Sequence, residues 1–245
     1  MILHELLALS HEIGREDRGL AILGEGNTSA RLGDETFLVK ASGRRLSTLK
    51  PDEVIECRFS ILLPLLEESG LTDQQVDDAL MASRVDSKAR KPSVEVVFHA
   101  YLLSLPGIKF VGHSHATTVN QILCSPRAQE FAGHRMFPQQ ITWCGIASVF
   151  VAYTDPGLQL SQAIRRETDA FVQQHQRLPQ VVLLQNHGLI TLGTTAESVL
   201  STMLMAEKTA NHFVGAAPLG GPVFYSNDEI RRLDSYKAAT CRQQL

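Results

Sequence analysis

Lys109-Phe110-Val111-Gly112-His113-Ser114-His115 decides the reading of this chain. An apolar run this short, closed by two imidazoles one residue apart, predicts a buried strand from Lys109 to His115. Side chains two apart on a strand point to the same face, so both rings can chelate one ion. Pro106-Gly107 stops the segment before it, and Thr117 to Leu123 has the apolar spacing of a helix after it. A strand between two helices sets the expectation of an α/β fold.

Working outward, Ile2, Leu3, Leu6, Leu7, Leu9 and Ile13 recur at helical spacing, and Gly24-Glu25-Gly26-Asn27 breaks that pattern. Thr28 to Leu32 and Thr36 to Ala41 form an expected strand pair turned by Gly33-Asp34, with a further strand at Val54 to Phe59. Helices are expected over Ile61 to Glu68, Asp73 to Ser83 and Ser93 to Leu105, with the polar, basic Arg84 to Lys91 as a loop. Beyond the central strand come a strand at Ile146 to Tyr153 and a helix at Ser161 to Gln174. Val181 to Gln185 and Leu189 to Leu192 follow as a strand pair joined around Asn186-His187-Gly188. A long helix from Ala196 to Val214 ends at Gly215, and Asp228 to Arg242 is the last. There is no repeat or composition break, so residues 1–245 read as one α/β domain. Several connections are short, which favours a mixed or antiparallel sheet.

Composition narrows the function. A chain of 245 residues is long enough for a full core, and 44% apolar with 20% charged residues is ordinary for a soluble protein. A net charge of −3 without a basic stripe argues against a nucleic-acid binder. Cys57, Cys124, Cys144 and Cys241 are widely spaced and read as reduced thiols. Met1 to Glu5 lacks a basic segment followed by an apolar core, and no apolar run approaches the ~18–20 residues of a membrane span. The expectation is a soluble, cytoplasmic protein with no membrane partner.

His187 closes the apolar run Val181 to Gln185, and Glu95 falls in the first turn of the helix expected after Pro92. Glu95, His113, His115 and His187 form a donor set suited to Zn²⁺, with Mn²⁺, Fe²⁺ or Co²⁺ as further candidates. Each residue has a plainer use alone: His187 as a hydrogen-bonded core residue, Glu95 as an anion at a helix start. The remaining histidines read mostly as surface or helix-face residues, with His99 and His134 held in reserve. Gly24-Glu25-Gly26-Asn27-Thr28-Ser29 is a glycine-rich turn that matches neither dinucleotide nor P-loop spacing. Ser42-Gly43 is a second small turn, and Ser93 reads either as a helix N-cap or as part of an anion site. If these turns converge, Asn27, Ser42, Gly43 and Ser93 ring a phosphate two residues from the carboxylate.

The ordered blocks Gly26-Asn27-Thr28-Ser29, Ala41-Ser42-Gly43, Pro92 to His99, Val111 to His115, Tyr153 to Gly157 and Asn186 to Leu189 resemble the class II aldolase/adducin family. Within it the chain is similar to the aldolase part of rhamnulose-1-phosphate aldolases fused to a dehydrogenase, and more distantly to fuculose-1-phosphate aldolase. The resemblance implies a single-domain three-layer α/β/α sandwich with a mixed, largely antiparallel sheet. It also implies a Zn²⁺ site, a sugar phosphate substrate and a homotetramer. By position, His113, His115 and His187 are the implied ligands, Glu95 a ligand and acid/base, and Asn27, Ser42, Gly43 and Ser93 the phosphate cradle. The implied reaction is retro-aldol cleavage of a ketose 1-phosphate through a metal-stabilised enediolate. Epimerisation, dehydration or decarboxylation of a sugar phosphate at the same site is the rival, and a non-catalytic adducin-like binding module the other. Two departures stand out. Val94 replaces a second phosphate-binding Ser of many relatives, and no Tyr occurs from His134 to Phe137, where the fuculose enzyme has one. Tyr153, Tyr236 and His134 are the candidates for a second acid.

Overall fold

The apolar runs of the sequence pair into one seven-stranded sheet in the order β3-β2-β1-β4-β7-β6-β5. Its strands are β1 (Asn27–Arg31), β2 (Thr36–Lys40), β3 (Val54–Arg58), β4 (Phe110–Ser114), β5 (Val149–Val151), β6 (Val181–Leu184) and β7 (Gly188–Gly193). This computed structural model describes the backbone of residues 1–243 and the side chains of residues 1–236. Every neighbouring pair is antiparallel except β5 and β6, which run parallel. The sheet is therefore mixed and largely antiparallel, as its short connections lead one to expect.

Ten helices are described: α1 (Ile2–Ile13), α2 (Phe59–Leu62), α3 (Asp73–Ala82), α4 (Val96–Ser104), α5 (Thr117–Leu123), α6 (Ala128–Gly133), α7 (Pro138–Cys144), α8 (Leu158–His175), α9 (Ala196–Ala216) and α10 (Asn227–Gln243). Strand alternation deals the core to two sides. Val111, Val182, Leu184, Ile190 and Leu192 pack with Phe98, Leu102 and Ile164 of α4 and α8. Phe110, Val181, Leu183 and Leu189 pack with Leu6, Leu9, Val119, Met203 and Phe213 of α1, α5 and α9. The result is a three-layer α/β/α sandwich. Helix α4 is buried at every residue from Val96 to Leu103, which is why its sequence shows no polar face.

Several boundaries differ from the sequence reading. Helix α4 opens at Val96 rather than Ser93. Pro92 bridges Ala41, and Lys91 O accepts from Ser42 N at 3.1 Å, so the chain stays extended through Pro92 and must turn before it coils. That turn is closed by Val96 N donating to Ser93 O at 3.0 Å. Helices α6 and α7 fall where no element was expected, because Arg, Gln, Pro and Gly interrupt their apolar spacing. The strand expected from Ile146 to Tyr153 narrows to Val149–Val151, and α9 runs through Gly215 to Ala216. Cys57 and Cys144 are buried and Cys124 is exposed, and the side chain of Cys241 lies outside the described residues. Among the described residues no helix is long and apolar enough to cross a membrane.

Candidate active site

The sheet register places the chemistry. On central strand β4, His113 pairs with Asn27 of β1 on one side and Ile190 of β7 on the other. Its ring is fully buried, and Nδ1 donates to the Leu189 carbonyl at 3.0 Å. A carbonyl can only accept, so the proton sits on Nδ1 and Nε2 keeps its lone pair. His115, just beyond the strand, brings its Nε2 to 3.2 Å from that nitrogen. Two ligands on a tetrahedral zinc with bonds of about 2.0 Å stand about 3.3 Å apart, so this pair already has a chelating separation.

His187 arrives from the β6–β7 turn. Asn186 adopts the left-handed region at φ 55°, which Asn tolerates, and Asn120 Nδ2 donates to His187 O at 2.9 Å to fix the backbone. The three ring centroids lie 5.0 Å from one another. One ring nitrogen from each falls within 4.8 Å of the others. Two glycines permit this crowding. A Cβ at Gly188 would lie 2.4 Å from Ser114 O and 2.9 Å from the His115 ring. A Cβ at Gly26, itself at φ 66°, would lie 2.6 Å from His113 O.

Glu95 caps α4 and turns its carboxylate towards the imidazoles. Oε1 lies 3.2 Å from His187 Nε2 and 3.7 Å from His113 Nε2, while Oε2 accepts from Asn27 Nδ2 at 2.5 Å. Burial pushes this carboxyl up, but His113, His187 and the Asn27 hydrogen bond together outweigh it and hold Glu95 well below the usual carboxylate range. Burial drives His113 down to about 4 and lowers His115. Neutral imidazoles beside an ionised carboxylate are the protonation states that a divalent cation requires of its ligands.

Behind Glu95 runs a directed hydrogen-bond chain that the sequence reading left unassembled. Since Asn27 Nδ2 must donate to the carboxylate, its Oδ1 faces His99 and accepts from Nε2. His99 Nδ1 then accepts from Ser29 Oγ at 2.6 Å. His99 is fully buried, and burial pushes it down to about 3, so the ring is neutral. Asn27 thus spends one end of its amide on Glu95 and the other on His99.

The four expected phosphate residues do converge. Asn27, Ser42, Gly43 and Ser93 line one cavity of about 200 Å³ together with Glu95 and His115. Ser93 Oγ accepts from Glu95 N at 3.3 Å. Two unanticipated charged residues share the wall, Lys40 and Glu25. Glu25 Oε1 stands 3.7 Å from His115 Nδ1, the ring nitrogen turned away from the cluster. Lys40 ends β2 and is only 2% exposed. Its sequence signal is a single Lys closing the apolar run Phe37-Leu38-Val39, two residues before Ser42. Tyr153, Tyr236 and His134 do not line this cavity. Tyr153 is exposed with its hydroxyl 3.3 Å from Asp155, and His134 stacks on Phe224. A larger cavity of about 720 Å³, beside β5 and α8, contains none of the residues above.

The family signature of the class II aldolase and adducin N-terminal domain matches residues 4–214. The chain belongs to this family. Its aldolase-type sandwich is shared with the N-terminal class II aldolase domain of a conserved Thermoplasma acidophilum protein. The two are 25% identical at a TM-score of 0.69, covering 87% of this chain and 94% of that one. L-fuculose 1-phosphate aldolase has the same fold at 16% identity and TM-score 0.72, covering 96% and 95%. So does YgbL of Escherichia coli, a putative aldolase/epimerase/decarboxylase, at 21% identity and TM-score 0.68, covering 95% and 97%. In sequence the chain is 27% identical over 218 residues to the uncharacterized oxidoreductase YuxG of Bacillus subtilis. That match takes in 86% of this chain and 29% of YuxG, so the chain spans less than a third of that relative's length.

Proposed function

We propose that this chain is a divalent-metal-dependent aldehyde-lyase that cleaves a ketose 1-phosphate by retro-aldol reaction. The observation that carries the reading is the shared cavity: Glu95 and His115, members of a cluster of three imidazoles and one carboxylate, line a pocket that two hydroxyl-bearing turns also line. His113, His115, His187 and Glu95 would hold Zn²⁺, or in its place Mn²⁺, Fe²⁺ or Co²⁺. A bound ion supplies Lewis acidity towards the carbonyl and hydroxyl oxygens of the ketose, an effect worth several kcal/mol in metal enzymes.

The chain's own residues do the rest. Asn27, backed by His99 and Ser29, aims the ionised Glu95 carboxylate at the reacting carbon. Glu95 exchanges the proton at the carbon that keeps the electron pair when the carbon–carbon bond breaks. Ser42, Gly43 and Ser93 take the phosphate end, with Asn27 bordering them. A second acid handles the proton on the aldehyde oxygen. Tyr153, Tyr236 and His134 lie off the cavity, so we place that group on a neighbouring protomer of a homotetramer.

The test is to load the chain with metal, supply ketose 1-phosphates and identify products by mass spectrometry. Release of dihydroxyacetone phosphate and an aldehyde supports the reading. An epimer, a dehydrated product or carbon dioxide replaces it with the rival chemistry. Failure to bind any divalent ion would leave an adducin-like binding role.

A further inference from the structure

Two carboxylates line the small cavity, Glu25 and Glu95, and the proposed reaction uses only the second. Glu25 sits in the turn that leads into β1. Its backbone N–H donates to Ile22 O at 3.0 Å, and Ile22 N donates to its Oε2 at the same distance, so the turn is closed twice. Gly26 follows, held so close to His113 O that it pins the turn against β4. With Oε2 engaged in the turn, Oε1 faces His115 Nδ1 at 3.7 Å.

The two acids divide the imidazoles between them. Glu95 stands beside His187 and His113, at 3.2 and 3.7 Å. Glu25 stands behind His115, on the side away from the nitrogen that meets His113. That side matters. A neutral imidazole binds a cation through one nitrogen and carries its proton on the other, so the group facing the rear nitrogen decides which one is free. For His113 that group is the Leu189 carbonyl, which the sheet supplies. His115 lies one residue past β4, beyond the paired register. There a side chain, Glu25, takes the place of the carbonyl. The gap of 3.7 Å is one that a small shift of either side chain, or a bridging water, closes to a hydrogen bond.

We propose that Glu25 is a positioning residue for the metal centre: its carboxylate holds the proton of His115 on Nδ1 and so presents Nε2 to a divalent cation. A carboxylate behind a ligating histidine fixes the tautomer and ring orientation and raises the basicity of the free nitrogen. The inference rests on the reading of the three imidazoles as a metal site, and it adds a residue on which that site's affinity depends. Glu25 also has a plainer use, which is to close the Ile22–Glu25 turn through Oε2. That role bears on stability and leaves metal affinity alone.

The test is competition titration of the chelated full chain with Zn²⁺ against a chromophoric chelator, beside the melting temperature of the same metal-free protein. Glu25→Ala should bind Zn²⁺ about 10–100-fold more weakly, the usual cost of losing such a partner. Glu25→Gln keeps an acceptor and loses the charge. A neutral hydrogen bond is roughly half as strong as a charge-assisted one, so this variant should recover part of the affinity and stand about 3–10-fold below wild type. Zn²⁺ affinity of Glu25→Ala within about twofold of wild type overturns the proposal, and a lowered melting temperature beside it assigns Glu25 to the turn alone. If Glu25→Ala does not fold, Glu25→Gln decides, and affinity within about twofold of wild type again overturns it. Wild type that takes up no divalent ion overturns the metal reading and this inference together, whereas equal binding by wild type and Glu25→Ala removes only the latter. None of these measurements requires turnover, so absence of ketose phosphate cleavage refutes the lyase reaction and leaves the role of Glu25 standing.

Discussion

Asn27→Ala tests the hydrogen-bond chain behind Glu95 at its midpoint. The substitution removes a bond to an ionised carboxylate at 2.5 Å and the acceptor that holds the fully buried His99. A hydrogen bond to a charged group is worth about 1.5–3 kcal/mol, and a buried donor left without a partner costs about 1–3 kcal/mol. The expected loss, the sum of the two, is about 3–5 kcal/mol. In a domain of this size each kcal/mol moves the melting temperature by roughly 2–4 °C, so circular dichroism should show a fall of about 10 °C. Ser29→Ala, which cuts only the far end, should cost about 1 kcal/mol. Acid behaviour checks the same wiring. Glu95 is held below its ordinary value of 4.5, so its stabilisation is present above that pH and is lost as pH falls further. Asn27→Ala removes one of the causes of that depression and should leave a shallower acid loss, measured on chelated protein. A fall of less than about 2 °C, no larger than for Ser29→Ala, would refute the claim that this chain holds the carboxylate.

Further tests follow from the same geometry. Glu95→Gln should keep much of its metal by elemental analysis while turnover drops by roughly 10²–10⁴-fold, whereas His113→Ala should lose metal and activity together. Ser93→Ala should raise KM for a phosphorylated substrate by about tenfold with kcat little changed, because the helix starts at Val96 and Ser93 is not its cap. Lys40 carries a pH signature of the same sign as that of Glu95, in a higher pH window. With a folded pKa near 8 against an ordinary 10.5, its burial penalty is complete below pH 8. Between those values only the unfolded chain holds the proton, so stability rises with pH, by about 3 kcal/mol in all. Urea unfolding should show that rise in wild type, and its persistence in Lys40→Met would trace it to another group.

The parts of the fold that were legible in the sequence are those set by local spacing. His113 and His115 are two apart on a strand, so their shared face follows from the pleat alone. His187 is readable because Gly188 follows it, and the structure gives the reason in the space between Ser114 and the His115 ring. Helices α6 and α7 were not legible. Their apolar residues Phe131, Ile141 and Cys144 are buried, but too few stand in each short segment to show a period. The start of α4 was misplaced for a related reason. Pro92 marks a boundary in the sequence, but its bridge to Ala41, made across the sheet, postpones the coil to Val96.

Function at this site depends on contacts of a kind that spacing does not encode. Ser29, Asn27, His99 and Glu95 come from two elements some 70 positions apart, and they meet because β1 pairs with β4 while α4 packs over the sheet. The same holds for Lys40, which reads in sequence as one more surface cation until the turn after β2 closes over it. A polar group earns a functional reading when its burial is known and its partners fall short of its capacity. By that measure His113, His115 and His187 bring their ring nitrogens together beside the Glu95 carboxylate, and His99 is fully spent on Asn27 and Ser29. Lys40, with one carbonyl for three donors, is not. On the proposed reading a ligand carries metal-chelating oxygens at one end and a charged ester at the other, and the KM of Ser93→Ala tests the second end.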